Sequence, residues 1–143
     1  MNPGTFMLDP QLERDTVTVG ELPLSRVLLN ADANYPWLIL VPRRAGLVEL
    51  IDLNEAERAQ AMGEITHAST VLRDITQCDK LNVAALGNVV AQLHIHVIAR
   101  FKADTAWPNP VWNVVPRKAY EVSEREKLLG ALRARLQLMS VQS

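Results

Sequence analysis

The sequence predicts a protein of the α+β class, because segments with strand character and segments with helix character follow one another along the chain. Five segments alternate apolar and polar residues or form short apolar runs, as strands do: 16–22, 25–29, 37–41, 81–86 and 89–99. The last two are predicted to meet at Gly87-Asn88, a residue pair that favours a tight hairpin turn.

Two other segments have the period of a helix. From Asp52 onward apolar residues recur every three to four positions, and Asp52 with Glu55 resembles a capping box at the start of this long helix. A second helix is predicted near the end of the chain, capped by residues 123–126, with apolar side chains on one face: Leu128, Leu129, Leu132, Leu136 and Met139. This stripe is typical of packing in a core or in a dimer interface.

Length and composition exclude several classes of protein. A chain of 143 residues with 48% hydrophobic residues is expected to form one domain, spanning 1–143. The net charge of −1 argues against DNA or RNA binding through phosphates. Cys78 is the one cysteine, so neither an internal disulfide nor a cysteine-based zinc site is expected. With no export signal and no apolar run of about 20 residues, we expect a soluble cytoplasmic protein that does not enter a membrane.

The residues best suited to chemistry lie in the segment 92–98, which reads QLHIHVI. Alternate side chains of a strand point to opposite faces, so Leu93 and Ile95 should face the core while Gln92, His94 and His96 project together from the other face. Two of the three histidines of the chain would then share one surface. Near neutral pH an imidazole can be a nucleophile, a general acid or base, or a metal ligand.

Three interpretations of the histidine pair stay open from these residues alone. One histidine could attack a phosphorus atom while the other binds phosphate oxygens, without a metal. The pair could instead bind zinc or iron, but a third ligand is then needed, and Gln92 is a poor one. His67 or a carboxylate would have to supply it, although His67 on the long helix is expected to be a surface or cap residue. The pair could also be structural, with its nitrogens bonded to backbone or water.

Residues 92–98 resemble the signature of the histidine triad (HIT) superfamily of nucleotide hydrolases and transferases, His-φ-His-φ-His-φ-φ, in which φ is apolar. The resemblance extends over about residues 12–110. It includes the apolar run that ends in Pro42-Arg43 and the Trp107-Pro108 pair behind the motif. It implies an α+β fold with an antiparallel sheet of about five strands, a long helix and a C-terminal helix, usually assembled as a homodimer.

The resemblance also implies a site for a nucleoside monophosphate unit. Members of the family cleave phosphoramidate or phosphoanhydride bonds at the α-phosphorus, as phosphoramidases and diadenosine polyphosphate hydrolases do, and no cofactor or metal is expected. His94 matches the histidine that attacks the phosphorus, and His96 matches the one that contacts the phosphate oxygens. Asn30 matches a residue that binds the ribose hydroxyls, Asn88 one that meets the phosphates, and Trp107 a tryptophan near the site or the dimer interface.

The chain departs from the pattern of the family at two positions. Gln92 stands where the first histidine of the triad should be, and because an amide cannot relay a proton we expect it to orient His94 through hydrogen bonds. Val89 stands where a serine or threonine often touches the phosphate or the leaving group. No basic residue lies inside the motif, and Arg100 directly behind it is expected to be a solvated charge.

The function predicted from the sequence is that of a nucleotide hydrolase or nucleotidyl transferase that forms a covalent nucleotidyl-His94 intermediate. A nucleotide-binding relative with weak or lost catalysis is the alternative. A metal-dependent enzyme built on His94 and His96 is the second alternative.

Overall fold

The structure is a computed structural model that describes residues 5–138 of the chain. The strands are β1 Thr16–Glu21, β2 Ser25–Asn30, β3 Trp37–Pro42, β4 Lys80–Ala84 and β5 Ile95–Arg100. The helices are α1 Pro10–Asp15, α2 Glu55–Thr76 and α3 Val122–Leu136, with a 3-10 helix at Leu50–Asp52. The strands form one antiparallel sheet in the order β1-β2-β3-β5-β4. The predicted α+β class with five antiparallel strands is confirmed.

Both faces of the sheet are covered in its centre, where all residues of β3 and β5 are buried. On one face, α2 and α3 pack against the inward side chains of the central strands, which include Leu38 and Val97. On the other face, Ile39 and Ile98 pack against α1 and against the segment that follows β5. His96 pairs with Ile39 across the ladder and therefore lies on this second face. The sheet thus places the candidate site on the face opposite α2 and α3.

The predicted tight hairpin between the last two strands is wrong. Ala84 of β4 pairs with His96 of β5, so the ten residues 85–94 form a connecting loop between the paired segments. Val90 and Leu93 are both buried, which shows that the loop folds back onto the protein. Gly87 has a φ of 82°, a conformation that glycine adopts without steric cost. The strand predicted over 89–99 begins only at Ile95, because burial of these two side chains holds the chain before it out of the ladder.

The N-cap of the long helix α2 lies two residues later than the predicted N-cap, Asp52. Asn54 is the N-cap and accepts a hydrogen bond from the Glu57 N–H, while the Glu57 side chain accepts one from the Asn54 N–H. Asp52 instead accepts from the Glu49 N–H and so caps the preceding 3-10 helix. The predicted helix is confirmed, but its predicted cap is wrong. The capping box of the 3-10 helix, Glu49 with Asp52, lies directly before that of α2, Asn54 with Glu57. Within residues 5–138, no helix is long and apolar enough to span a membrane.

The leucine stripe of α3 belongs to the core of this chain. Leu129, Leu132 and Leu136 are buried against α2 and the sheet, whereas Met139 lies outside the described residues. The helix already begins at Val122, ahead of the predicted cap, and its N-cap residue Glu121 makes no side-chain capping bond. These contacts confirm the predicted use of the stripe in a core.

His67 ties the end of α3 to the middle of α2. Its Nε2 lies 2.9 Å from the carbonyl oxygen of Leu136, the last residue of α3. A carbonyl oxygen only accepts, so His67 donates and satisfies one of the carbonyl groups that a helix end leaves without an intrahelical partner. The expected cap role of His67 is therefore what the structure shows, although the helix it caps is not its own.

Arg100 is buried, contrary to the expected solvated charge. Its side chain is 2% exposed and donates to both carboxylate oxygens of Asp104, at 2.8 and 3.0 Å, and to Asn82. The guanidinium carbon lies 5.7 Å from the ring centre of Tyr35 and 5.6 Å from that of Trp107. The sequence could not reveal this, because the partners come from β4, from the loop before β3 and from the segment after β5.

We expect Asp104→Ala to lower the free energy of unfolding by about 3–5 kcal/mol, since it leaves the buried guanidinium of Arg100 without its counter-ion. Urea denaturation measures this. Burial raises the pKa of Asp104, but hydrogen bonds from Arg100 and from two backbone N–H groups outweigh it and bring the pKa to about 2. The stabilisation by the Asp104 carboxylate should therefore be complete above about pH 4, the range in which the group is ionised in the unfolded chain as well. It should be lost as the pH falls through about 2, the pKa in the folded protein.

The exposed pair Arg125–Glu126 provides the matched control for this prediction, with side chains 34% and 55% exposed. Glu126→Ala should change the unfolding free energy by less than about 1 kcal/mol. Equal effects of the two variants would contradict a structural role for the buried pair.

Candidate active site

A cavity with a volume of about 800 Å³ opens on the sheet face opposite α2 and α3. Its walls come from α1, from β2, β3 and β5, from the loop 86–90 and from the segment 111–117. His94 and His96 both line it, as do Asn30 and Asn88. Four of the side chains singled out in the sequence thus surround one space, although they come from parts of the chain up to 66 positions apart.

His94 is held in one orientation by the backbone. Its Nδ1 lies 2.7 Å from the carbonyl oxygen of Gln92. Because that oxygen only accepts, Nδ1 carries the proton, and in the neutral ring the lone pair is on Nε2. His94 is buried, 7% exposed, and lies in the cavity wall. The arrangement suits a nucleophile, since the hydrogen bond also stabilises the positive charge that the ring gains when Nε2 bonds to an electrophile.

His96 has the opposite arrangement. The indole Nε1–H of Trp37 donates to its Nδ1 at 2.9 Å, and an indole nitrogen is a donor only. The proton of the neutral His96 ring is therefore on Nε2. Burial and, to a smaller extent, the neighbouring His94 together lower the pKa of His96 to about 3. Around neutral pH, His96 is a neutral ring that offers one N–H donor, which fits a role in binding oxygen atoms of an anion.

Aromatic rings enclose the two histidines. The ring centres of His94 and His96 are 4.9 Å apart, and Trp112 lies edge-on to His96 at 5.1 Å. Trp112 lines the cavity, whereas Trp107 is not among its lining residues and lies near Arg100 instead. Trp107 was predicted near the site or the dimer interface, whereas Trp112 was not predicted. Nothing near Trp112 in the sequence points to the site, because it lies in an irregular segment that only the tertiary fold brings over β5.

Polar side chains gather around Asn30, away from the histidines. The Asn30 Oδ1 accepts hydrogen bonds from the Asp32 N–H at 3.1 Å and from Arg117 at 3.3 Å. Arg117 also lies 3.5 Å from Asp15 on α1. Both hydrogen bonds that the described residues make to the Asn30 side chain are accepted by its oxygen. The side-chain nitrogen, Nδ2, is therefore available to donate to a ligand. Arg117 and the acids beside it were missed, since they follow no motif.

The loop 86–90 forms part of the cavity wall. Asn88 is exposed and Val89 is 82% exposed, so both side chains are accessible from solvent. Val90 is buried and anchors the loop to the sheet. Asn88 therefore lies where it can meet a ligand, while its role in phosphate contact stays a prediction.

The Gln92 side chain does not line this cavity. Its amide oxygen accepts from the Asp9 N–H, and its amide nitrogen donates to the Met7 carbonyl, both at 2.8 Å. Only the backbone carbonyl of Gln92 bonds to His94. Gln92 is also not in a strand, since β5 begins at Ile95, so the three side chains do not alternate along one strand as predicted.

A metal site is not apparent in the described part of the chain. No group of three or more His, Cys, Asp or Glu side chains that could hold a metal ion occurs within residues 5–138. His67, the third ligand considered from the sequence, bonds to the end of α3 instead. The Nδ1 atoms of His94 and His96 both have protein partners, which leaves one ring nitrogen of each for a ligand.

The match to a known family agrees with this geometry. Residues 11–103 match the HIT domain family. This chain belongs to the HIT family. The match covers β1 to β5 and both histidines, and ends just before the segment that supplies Trp112 and Arg117. The predicted resemblance over about residues 12–110 is therefore confirmed.

Solved HIT structures share the whole fold of this chain. A histidine triad protein from Bradyrhizobium japonicum is 52% identical, with a TM-score of 0.92 over 93% of this chain and 99% of the other. One from Marinobacter aquaeolei is 39% identical, with a TM-score of 0.91 over 94% and 98%. One from Sinorhizobium meliloti is 38% identical, with a TM-score of 0.89 over 92% and 97%. No match was found among curated proteins. This HIT chain thus has the fold of a nucleotide-binding family.

Proposed function

We propose that this HIT protein cleaves a bond at the α-phosphorus of a nucleotide through a covalent nucleotidyl-His94 intermediate. The observation that carries the proposal is the pair of complementary ring nitrogens at the cavity wall. His94 offers a lone pair at Nε2, because its Nδ1–H bonds to the Gln92 carbonyl. His96 offers an N–H at Nε2, because its Nδ1 accepts from Trp37.

In the first step, the lone pair of His94 Nε2 forms a bond to phosphorus while the bond to the leaving nitrogen or oxygen breaks. The leaving group departs with that electron pair and takes up a proton. In the second step, water attacks the phosphorus, the P–N bond breaks, its electron pair returns to Nε2, and the water loses a proton. His96 donates to a phosphate oxygen in both steps, where an already oriented donor stabilises the developing charge.

The charges around the cavity favour a substrate with one phosphate. Arg117 is the one basic residue among the described residues that line it, and Asp15 and Asp32 lie at the same end. A polyphosphate leaving group carries several negative charges and would find little compensation there. An adenosine 5′-phosphoramidate, whose leaving group is uncharged, is therefore the better probe of the proposed chemistry.

The test is to mix the protein with adenosine 5′-phosphoramidate, stop the reaction with acid after milliseconds to seconds, and follow both products. We expect release of AMP and a transient gain of one AMP unit on the peptide that contains His94, seen by mass spectrometry. Because the proposed steps involve only imidazole nitrogens and water, a chelator should not change the rate. The same assay with a diadenosine polyphosphate tests the charge argument.

The alternatives give different results in this assay. Binding of AMP without release of product from either probe would contradict catalysis and favour a nucleotide-binding relative. Turnover that disappears with a chelator and returns with zinc or iron would favour the metal enzyme. Turnover without any adduct, even in the fastest samples, would contradict the covalent step.

A further inference from the structure

Gln92 uses its backbone and its side chain for two different partners. The backbone carbonyl accepts from His94 Nδ1 at 2.7 Å. The side-chain amide bonds to the Asp9 N–H and the Met7 carbonyl, each at 2.8 Å. These two groups are 83 and 85 positions away in the sequence and belong to the extended segment just before α1. One residue therefore connects the proposed nucleophile to the N-terminal segment.

We infer that Gln92 is a positioning residue whose side-chain amide anchors the N-terminal segment, residues 5–9, and thereby fixes α1 as a wall of the nucleotide cavity. The amide accepts from the Asp9 N–H and donates to the carbonyl of Met7, two residues earlier. It therefore bonds to the N-terminal segment as the backbone of a neighbouring strand would. An amide is the neutral side-chain group that offers an acceptor and a donor side by side in this way.

The anchor acts on α1 through Asp9. The carboxylate of Asp9 accepts from the Gln11 N–H at 2.8 Å and caps α1, while the Asp9 N–H is the group that Gln92 holds. A helix of six residues is not stable alone, so its position depends on such contacts and on the burial of Leu12. Gln11, Leu12 and Asp15 of α1 line the cavity.

A histidine could not hold the segment in the same way. The two ring nitrogens of an imidazole point in different directions, so one ring cannot bond to both Met7 and Asp9 from one side. A glutamate could accept from the Asp9 N–H but would place a second acceptor against the Met7 carbonyl. The Gln92 amide is thus suited to anchoring the N-terminal segment. We expect Gln92→His to weaken the cavity wall rather than to improve catalysis.

The experiment compares Gln92→Glu and Gln92→His with the wild-type protein by two readouts. Hydrogen exchange of the Asp9 N–H, followed by NMR, should accelerate by about tenfold in Gln92→His, which loses the paired hydrogen bonds of the amide, and by less in Gln92→Glu, whose carboxylate can still accept from this N–H. The KM for adenosine 5′-phosphoramidate should rise by about three- to tenfold, a larger factor than any fall in kcat, because the His94 bond to the Gln92 carbonyl is retained. Gln77→Glu, the same change at the C-cap of α2, should alter neither readout.

Only the KM readout rests on the proposed function. Accelerated Asp9 exchange in a protein that turns over no nucleotide would support the anchor and contradict the proposed reaction. Unchanged Asp9 exchange in Gln92→His would overturn the anchor. A higher kcat in Gln92→His at an unchanged KM would also overturn it, because residue 92 would then act in the chemistry.

Discussion

Replacement of His94 by alanine is expected to reduce release of AMP from adenosine 5′-phosphoramidate by at least about 10⁴-fold, because the proposed covalent step has no other nucleophile. The Kd for AMP should change far less, since the predicted contact of Asn30 with the ribose is untouched. His94 is 7% exposed and bonds to the Gln92 carbonyl, so a modest loss of stability accompanies the change. Steady-state kinetics, calorimetric titration with AMP and urea denaturation measure the three effects separately.

His67→Ala is the matched control for this variant. It removes the third histidine of the chain, which caps α3 through the Leu136 carbonyl and is not among the cavity residues. We expect the stability to fall by about 1 kcal/mol while turnover stays at the wild-type level. Wild-type turnover in His94→Ala, or an equal loss in both variants, would contradict the assignment of His94 as the nucleophile.

Trp37→Phe is expected to free the ring of His96 while keeping an aromatic side chain in β3. The variant removes the indole N–H that donates to Nδ1 of His96. Because this hydrogen bond can form only with the neutral ring, it disfavours protonation of His96. The pKa of His96 should therefore rise above about 3, while burial and the neighbouring His94, which both remain, still hold it below the ordinary value. Nitrogen NMR should show one tautomer, protonated at Nε2, in the wild type down to about pH 4, and a titrating mixture in the variant.

Turnover should follow the same change. Loss of an oriented donor typically costs 10²–10³ in rate, and since His96 is retained we expect a loss of about tenfold at neutral pH. The loss should grow as the pH falls, because protonation at Nδ1 lets the ring turn away from the phosphate. Trp112→Phe is the control: its ring lies 5.1 Å from His96, but the hydrogen bond from Trp37 is kept. Equal titration of His96 in both variants would contradict the role given to the Trp37 N–H.

The sequence predicted the framework of the fold because local patterns carry it. Alternation in β1, the apolar run of β3 and the helical period of α2 each reflect burial of one face or one segment, and that requirement is written in consecutive residues. Helix α1 was missed although Asp9-Pro10 is a good start signal, with a capping aspartate followed by a proline in the first turn. Its six residues are too few to show a period.

The candidate site was predicted unevenly for the same reason. His94 and His96 stand in one short motif, and the structure places both at the cavity. Trp37 was read only as part of a buried strand, because its bond to His96 spans 59 positions of the sequence. Trp112 and Arg117 come from the irregular segment after β5, where no periodicity predicts which side chains turn toward the sheet.

The sequence by itself determined the family, the α+β architecture and the pair of histidines, since these depend on local periodicity and on a motif of seven residues. Only the tertiary structure decided which nitrogen of each histidine is available, that Arg100 is buried, and that the Gln92 amide holds the N-terminal segment. The physical reason is that a tautomer, a buried ion pair and an anchored segment each depend on a partner distant in the sequence. Such partners become neighbours only when the chain has folded.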